Sequence, residues 1–368
     1  MNFRHLVFCF TLTIVSLSAC GPMDLSGAAG VPASTAESTP TSTPEAPAIV
    51  AESPTATLLP PPAGRIVFLS DRGGQRNLFS MDPFGGNLMR LIDMPIEGMP
   101  RWSADGGRVA FVSTVNNNTD IYVANADGSG IVRITEDPAK DSAPAWSPDG
   151  NRLAFESYRD GSFDIFVANA DGSGLTRLTD DAAGDSNPQW SPSGDVITFV
   201  STRNGNSDIL LIHPDGSGLT SLTNDPPPTS DPVWSPRGDR IAYRTSSTDD
   251  THQVCVINAD GSNPLCLTEF AKAGIPSWSP DGTGLAFLAT RNGAAFIDVL
   301  RVDTREVTSL PLNVEPRSDP YFSSDGSYLV FQVNFNGDME IFMITIPTGD
   351  LLQLTSSPGF DGNPSWQR

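Results

Sequence analysis

The side chains best suited to chemistry in this chain are carboxylates that return at a fixed spacing. Glu97, Asp141, Asp185 and Asp361 fall on one 44-residue beat, whose other positions are Thr229, Ala273 and Arg317; Asp231 and Asp319 sit two residues past the beat in their own repeats. Carboxylates gathered in one place can hold a hard cation such as calcium, or receive a cationic group of a partner. Two of them held about 5–10 Å apart with split pKa values could run acid–base hydrolysis. The plainer alternative is a solvated acidic rim. No cofactor is expected beyond a calcium ion at this cluster.

Other chemically capable groups are sparse. Beyond the first 20 residues the only histidines are His213 and His252, far apart in sequence and read as ordinary surface residues. Gly-x-Ser-x-Gly, P-loop and Cys-x-x-Cys patterns are absent. Asn125-Ala126-Asp127-Gly128-Ser129-Gly130 looks superficially like a calcium loop but lacks the length and terminal glutamate of one, so it reads as a hairpin turn. Arg159 and Arg203 each precede an aspartate, Asp164 and Asp208, by five residues, which suggests pairs tying one strand to the next. Cys255 and Cys266 flank the turn from Asn258 to Asn263 at equal distances. That places them opposite each other on neighbouring strands, as a disulfide or as two buried thiols.

The elements that must position these groups follow from a second beat. Trp102, Trp146, Trp190, Trp234, Trp278, Phe322 and Trp366 are also 44 residues apart. Such a period means stacked or ring-closed repeats, and recurrence at one strand position makes the aromatics core wedges rather than ligand contacts. Within a repeat, apolar runs of four to six residues such as Leu153-Ala154-Phe155-Glu156-Ser157 and Asp164-Ile165-Phe166-Val167 are bounded by Pro, Asp, Asn or Gly. They read as four short strands, a to d, with no room for a helix. Ser147-Pro148-Asp149-Gly150 and Ala170-Asp171-Gly172-Ser173 carry the residues of tight turns.

The Trp-Ser-Pro-Asp-Gly and Asp-Gly-Ser motifs resemble the TolB-like, PD40 class of WD40-like β-propeller repeats. The resemblance covers about 300 residues. It implies an all-β fold, a β-propeller of four-stranded antiparallel blades, and the seven aromatics on the beat make the expected ring a seven-bladed β-propeller. Seven b-strands match seven aromatics, but the first b-strand, near Ile66, has no a-strand before it, and Trp366 has no b-strand after it. The expectation is that the C-terminal strand closes the ring. TolB itself is usually six-bladed with an extra α/β domain, so the chain departs from that member. The class serves as binding platforms, enzyme domains and lipoproteins. Its polysaccharide lyases rely on histidine-rich metal sites that have no counterpart here.

The start of the chain is of another kind. Arg4, the apolar run Leu6–Leu17 and then Leu17-Ser18-Ala19-Cys20 resemble a bacterial lipoprotein signal, with lipid on Cys20. The expected organisation is a signal peptide over 1–19, a lipidated cysteine and disordered Ser/Thr/Pro-rich stalk over 20–63, and the propeller over 64–368. With Arg4 removed, 21 basic and 43 acidic side chains leave a charge of −22, which excludes nucleic acid as a partner. The reading is a monomeric, extracytoplasmic propeller, tethered to a bacterial membrane at the cell surface or in the periplasm. It would bind a protein or an envelope glycan without catalysis. The alternatives are a carbohydrate-active, hydrolytic or lyase enzyme using the repeated carboxylates, which precede the innermost strand a and so should crowd one mouth of the propeller channel, and a cell-envelope sensor or assembly factor.

Overall fold

The computed structural model describes residues 63–367 except 225, 226, 248–250, 270 and 271. The expected signal peptide, Cys20 and nearly all of the stalk lie outside the described residues.

Seven antiparallel sheets form the blades of a propeller. Blade 1 joins Ile66–Ser70, Asn77–Met81 and Met89–Ile92 to the C-terminal strand Asp361–Trp366. Blade 2 runs from Glu97–Trp102 to Val132–Arg133, blade 3 from Asp141–Trp146 to Thr176–Arg177, and blade 4 from Asp185–Trp190 to Thr220–Ser221. Blade 5 runs from Thr229–Trp234 to Leu265–Cys266, blade 6 from Lys272–Ala273 to Val307–Pro311, and blade 7 from Glu315–Pro316 to Leu351–Gln353. The inner strands touch their neighbours around the whole ring, and the C-terminal strand meets both blade 7 and blade 2. The chain thus closes on itself through the pairs Ile66↔Trp366 and Ser70↔Asp361.

Each second strand packs blades on both faces, so it reads as a continuous apolar run instead of an alternating one. Its centre is Phe68, Phe111, Phe155, Phe199, Tyr243, Phe287 or Phe331, each buried. The beat tryptophans wedge between blades as expected. The Trp146, Trp278 and Trp366 indoles donate to the carbonyls of Arg101, Val233 and Tyr321 on the preceding inner strand, at 2.9–3.1 Å. The hairpin between strands c and d supplies a further seam. Gly128 has φ +83° and lies against blade 1 so closely that a Cβ would fall on the Leu91 carbonyl.

A third beat shapes the channel. Pro100, Pro144, Pro188, Pro232, Pro276, Pro320 and Pro364 occupy one position of every inner strand, and all are buried. In blades 3, 4 and 5 the ladder slips just before or at the proline, and the preceding residues Ala143, Asn187 and Asp231 have φ of 51–54°. Proline gives no N–H to a ladder, so it sits where the pairing is already broken. In blades 6 and 7 the inner strand separates into two pieces around Pro276 and Pro320.

Candidate functional site

The carboxylates on the 44-residue beat begin the inner strands, at the mouth shared by the b–c and d–a loops. Three of the four are not solvated there, and only Glu97 is exposed. Asp141, Asp185 and Asp361 are completely buried. Each is met by an arginine from the b–c loop of its own blade: Arg159–Asp141 at 3.4 Å, Arg203–Asp185 at 2.7 Å and Arg72–Asp361 at 2.6 Å. The same arginines donate through Nε to Ser157, Ser201 and Ser70 at 2.7–2.9 Å. Arg159 and Arg203 therefore reach strand a, not the aspartates five residues on. Asp164 is instead held by Arg177, and Asp120 by Arg133, both at 2.7 Å. Burial pushes the Asp141 carboxyl up, against hydrogen bonds from Ser157 and Thr135 and the charge of Arg159.

The remaining beat residues differ. Thr229 is buried and shares a hydroxyl contact of 2.8 Å with Thr223. Ala273 is buried, and its carbonyl accepts from Arg244 at 3.3 Å. Glu97 is exposed and bonds Thr114. Arg317 is exposed and its backbone N–H donates to the Gln332 carbonyl at 2.8 Å.

A second charged group joins blades 5 and 7. Arg244 holds Asp231 through two nitrogens at 2.6 and 2.9 Å. Burial raises Asp319 to about 6, with Arg244 and the Ile275 N–H opposing and the Asp231 charge adding. Burial also raises Tyr321, which feels Arg101, Asp319 and Asp231. Its hydroxyl lies 3.4 Å from Met99 Sδ of blade 2. Thus Asp231 and Asp319 share one charged cluster with Arg244, while Glu97, Asp141, Asp185, Arg317 and Asp361 are dispersed around the mouth. Among the described residues, no three His, Cys, Asp or Glu side chains stand together in a group suited to a metal ion.

Sequence reasoning missed a pattern of two periods. Glu156, Arg244 and Gln332 are 88 residues apart, at a strand-b position that is Leu69, Val112, Val200 or Leu288 in the other blades. Each reaches the next blade: Arg244 donates to the Ala273 carbonyl at 3.3 Å, and the other two meet the bulge of the following inner strand. Glu156 accepts from Asn187 N at 3.0 Å and from Ser142 Oγ at 2.8 Å; Gln332 Oε1 accepts from Asn363 N at 3.1 Å. A polar residue in an otherwise apolar run was the available signal.

The turn aspartates are consumed locally. Asp127, Asp171, Asp215 and Asp260 accept from the backbone and hydroxyl of Ser129, Ser173, Ser217 and Ser262, and these hydroxyl bonds hold their carboxyls below the usual range. Cys255 and Cys266 stand directly opposite in register and are joined, with Cα atoms 3.9 Å apart. His213 lies on the opposite face and contacts the Asp195 carbonyl at 2.9 Å; His252 begins strand c of blade 5 and pairs with Ser246 in the ladder.

The fold and its mouth define a seven-bladed β-propeller whose inner strands carry buried ion pairs at one end. The chain belongs to the TolB beta propeller domain (PD40) family, whose model matches residues 93–314 and 240–368. A stretch of 40 residues is 50% identical to the Tol-Pal system protein TolB of Anaeromyxobacter dehalogenans (strain 2CP-C), covering 11% of this chain and 9% of that protein. The solved TolB from Acinetobacter baumannii is 19% identical with a TM-score of 0.57, over 83% of this chain and 66% of that one. The chain thus spans just under two thirds of that TolB. An oligogalacturonate lyase from Vibrio parahaemolyticus is 15% identical with a TM-score of 0.60, over 80% of this chain and 87% of that one. At these identities the structural likeness speaks for the fold alone.

Proposed function

We propose that the chain is an extracytoplasmic binding propeller, tethered through Cys20, that receives a protein or an envelope glycan at the mouth of the b–c and d–a loops. One observation carries this reading. Most of the mouth carboxylates are buried and already held by arginines of their own blade, at 2.6–3.4 Å. Such pairs pre-organise a rigid loop surface; they leave those carboxylates poorly placed to shuttle protons. TolB proteins among its relatives and the lipobox-like Leu17–Cys20 support an envelope location. The enzyme alternative rests on Asp319, raised to about 6 near an Arg-held Asp231, and on the lyase that shares the fold.

The test is a photo-crosslinking residue placed at Glu97 or Asn187 of the full chain in intact cells, with Ser129 on the opposite face as control. Adducts from the mouth positions are expected. Adducts only from position 129, or from none, would sink the mouth as the binding face. Separately, metabolic labelling with palmitate should be abolished by Cys20→Ala.

A further inference from the structure

Blades 3 and 4 carry sister b–c loops that do the same structural work. The blade 3 loop is Tyr158-Arg159-Asp160-Gly161-Ser162-Phe163, and the blade 4 loop is Thr202-Arg203-Asn204-Gly205-Asn206-Ser207. In each, the first residue's N–H donates to the d–a loop, Tyr158 to Lys140 O at 3.0 Å and Thr202 to Gly184 O at 3.2 Å. In each, the last residue's carbonyl accepts from the next blade's first inner residue, Asp185 N at 2.8 Å and Thr229 N at 2.7 Å. The arginine and the positive-φ glycine are also shared. The blade 4 loop makes every one of these ties with Thr202 and Ser207. The two aromatics of the blade 3 loop are therefore surplus to the fold.

They are also placed for contact. Tyr158 and Phe163 pair edge to face at 5.1 Å, which steadies the tyrosine ring. Tyr158 remains 48% exposed, the most exposed aromatic of the described residues. Its surroundings are polar: Lys140 and Asp160 are exposed, and Arg177 fixes the Asp160 carboxylate at 2.8 Å. The other exposed large apolar residues, such as Leu88, Ile131, Leu175 and Leu219, follow the c–d hairpins at the opposite face. A single flat ring among hydrogen-bonding groups does not match the apolar core of a protein interface. It matches an amphipathic ligand with one C–H face and a rim of hydroxyls.

We propose that Tyr158, steadied by Phe163, is a stacking platform for a pyranose ring of an uncharged glycan, with Lys140 and Asp160 placed for its hydroxyls. The charge of −21 disfavours acidic polysaccharides as ligands. This inference rests on the reading of the mouth as a binding face and narrows it to one ligand class.

The probe is the tetramer of N-acetylglucosamine, titrated against the full chain and followed by saturation-transfer NMR. Tyr158→Thr/Phe163→Ser, which copies the sister loop, should bind about tenfold more weakly with an unchanged melting temperature. Tyr158→Phe should retain binding, because the ring face is what stacks. Wild-type binding unaffected by the double substitution overturns the proposal, as does absence of binding by the wild type. A crosslinker at position 158 that captures a protein, with no tetramer binding, would overturn the sugar platform while leaving the binding propeller standing.

Discussion

Asp319 couples the stability of the fold to pH. Burial raises its carboxyl from 3.8 to about 6, so between those values the folded protein holds the proton that the unfolded chain releases. Its stabilising effect is full below the unfolded value and is lost as pH rises through about 6. Asp319→Asn should therefore stabilise the protein at pH 8, by up to about 3 kcal/mol, and change little at pH 4. Urea denaturation at the two pH values measures this, and equal effects at both would contradict it. Arg203→Ala should act in the opposite sense. It leaves the buried Asp185 without its ion pair, at a cost of roughly 3–5 kcal/mol in urea unfolding. The positions of these carboxylates were legible in sequence, but their partners were not. Arg159 sits five residues from Asp164 in the chain yet bonds Asp141, because the b–c loop folds back over strand a.

At the scale of elements, the outer strand of blade 5 has only two paired residues and a disulfide linking it to its neighbour. The joined cysteines are 11 residues apart. Replacing both with alanine should cost about 2–3 kcal/mol, read as a lower melting temperature under non-reducing conditions. An unchanged melt would mean that the turn alone holds the strand. Gly128→Ala tests the seam between blades. The backbone there is left-handed and the Leu91 carbonyl occupies the Cβ site, so a loss beyond ~1 kcal/mol is expected in the same assay. Strands and turns were readable because their signals are local: apolar runs, Pro-Asp-Gly and Asp-Gly-Ser. The bulge was less readable, since Ala143 adopts a positive φ without any sequence mark of it.

The whole molecule depends on its last strand. Asp361–Trp366 pairs with Ile66–Ser70, Trp366 bonds blade 7, and the Gln367 side chain reaches the Gly106 carbonyl of blade 2 at 2.7 Å. Deleting residues 362–368 should open the ring and remove a single cooperative thermal transition, as followed by circular dichroism. A truncated chain that melted like the intact one would mean that blade 1 is stable without its inner strand.

By itself the sequence determined the architecture. Periodic aromatics, short apolar runs and turn residues act within a few positions of one another, and a 44-residue repeat admits few ways to bury both faces of a blade. The offset of one strand between Ile66 and Trp366 was enough to imply the closure. Only the tertiary structure decided what the repeated carboxylates do. Whether an aspartate is a solvated charge or a buried partner depends on which loop returns to it, and that is a matter of contact across the fold. Ring closure likewise brought Tyr321 to Met99, 222 residues apart. The same geometry separated the aromatics that the fold requires from Tyr158, which it does not.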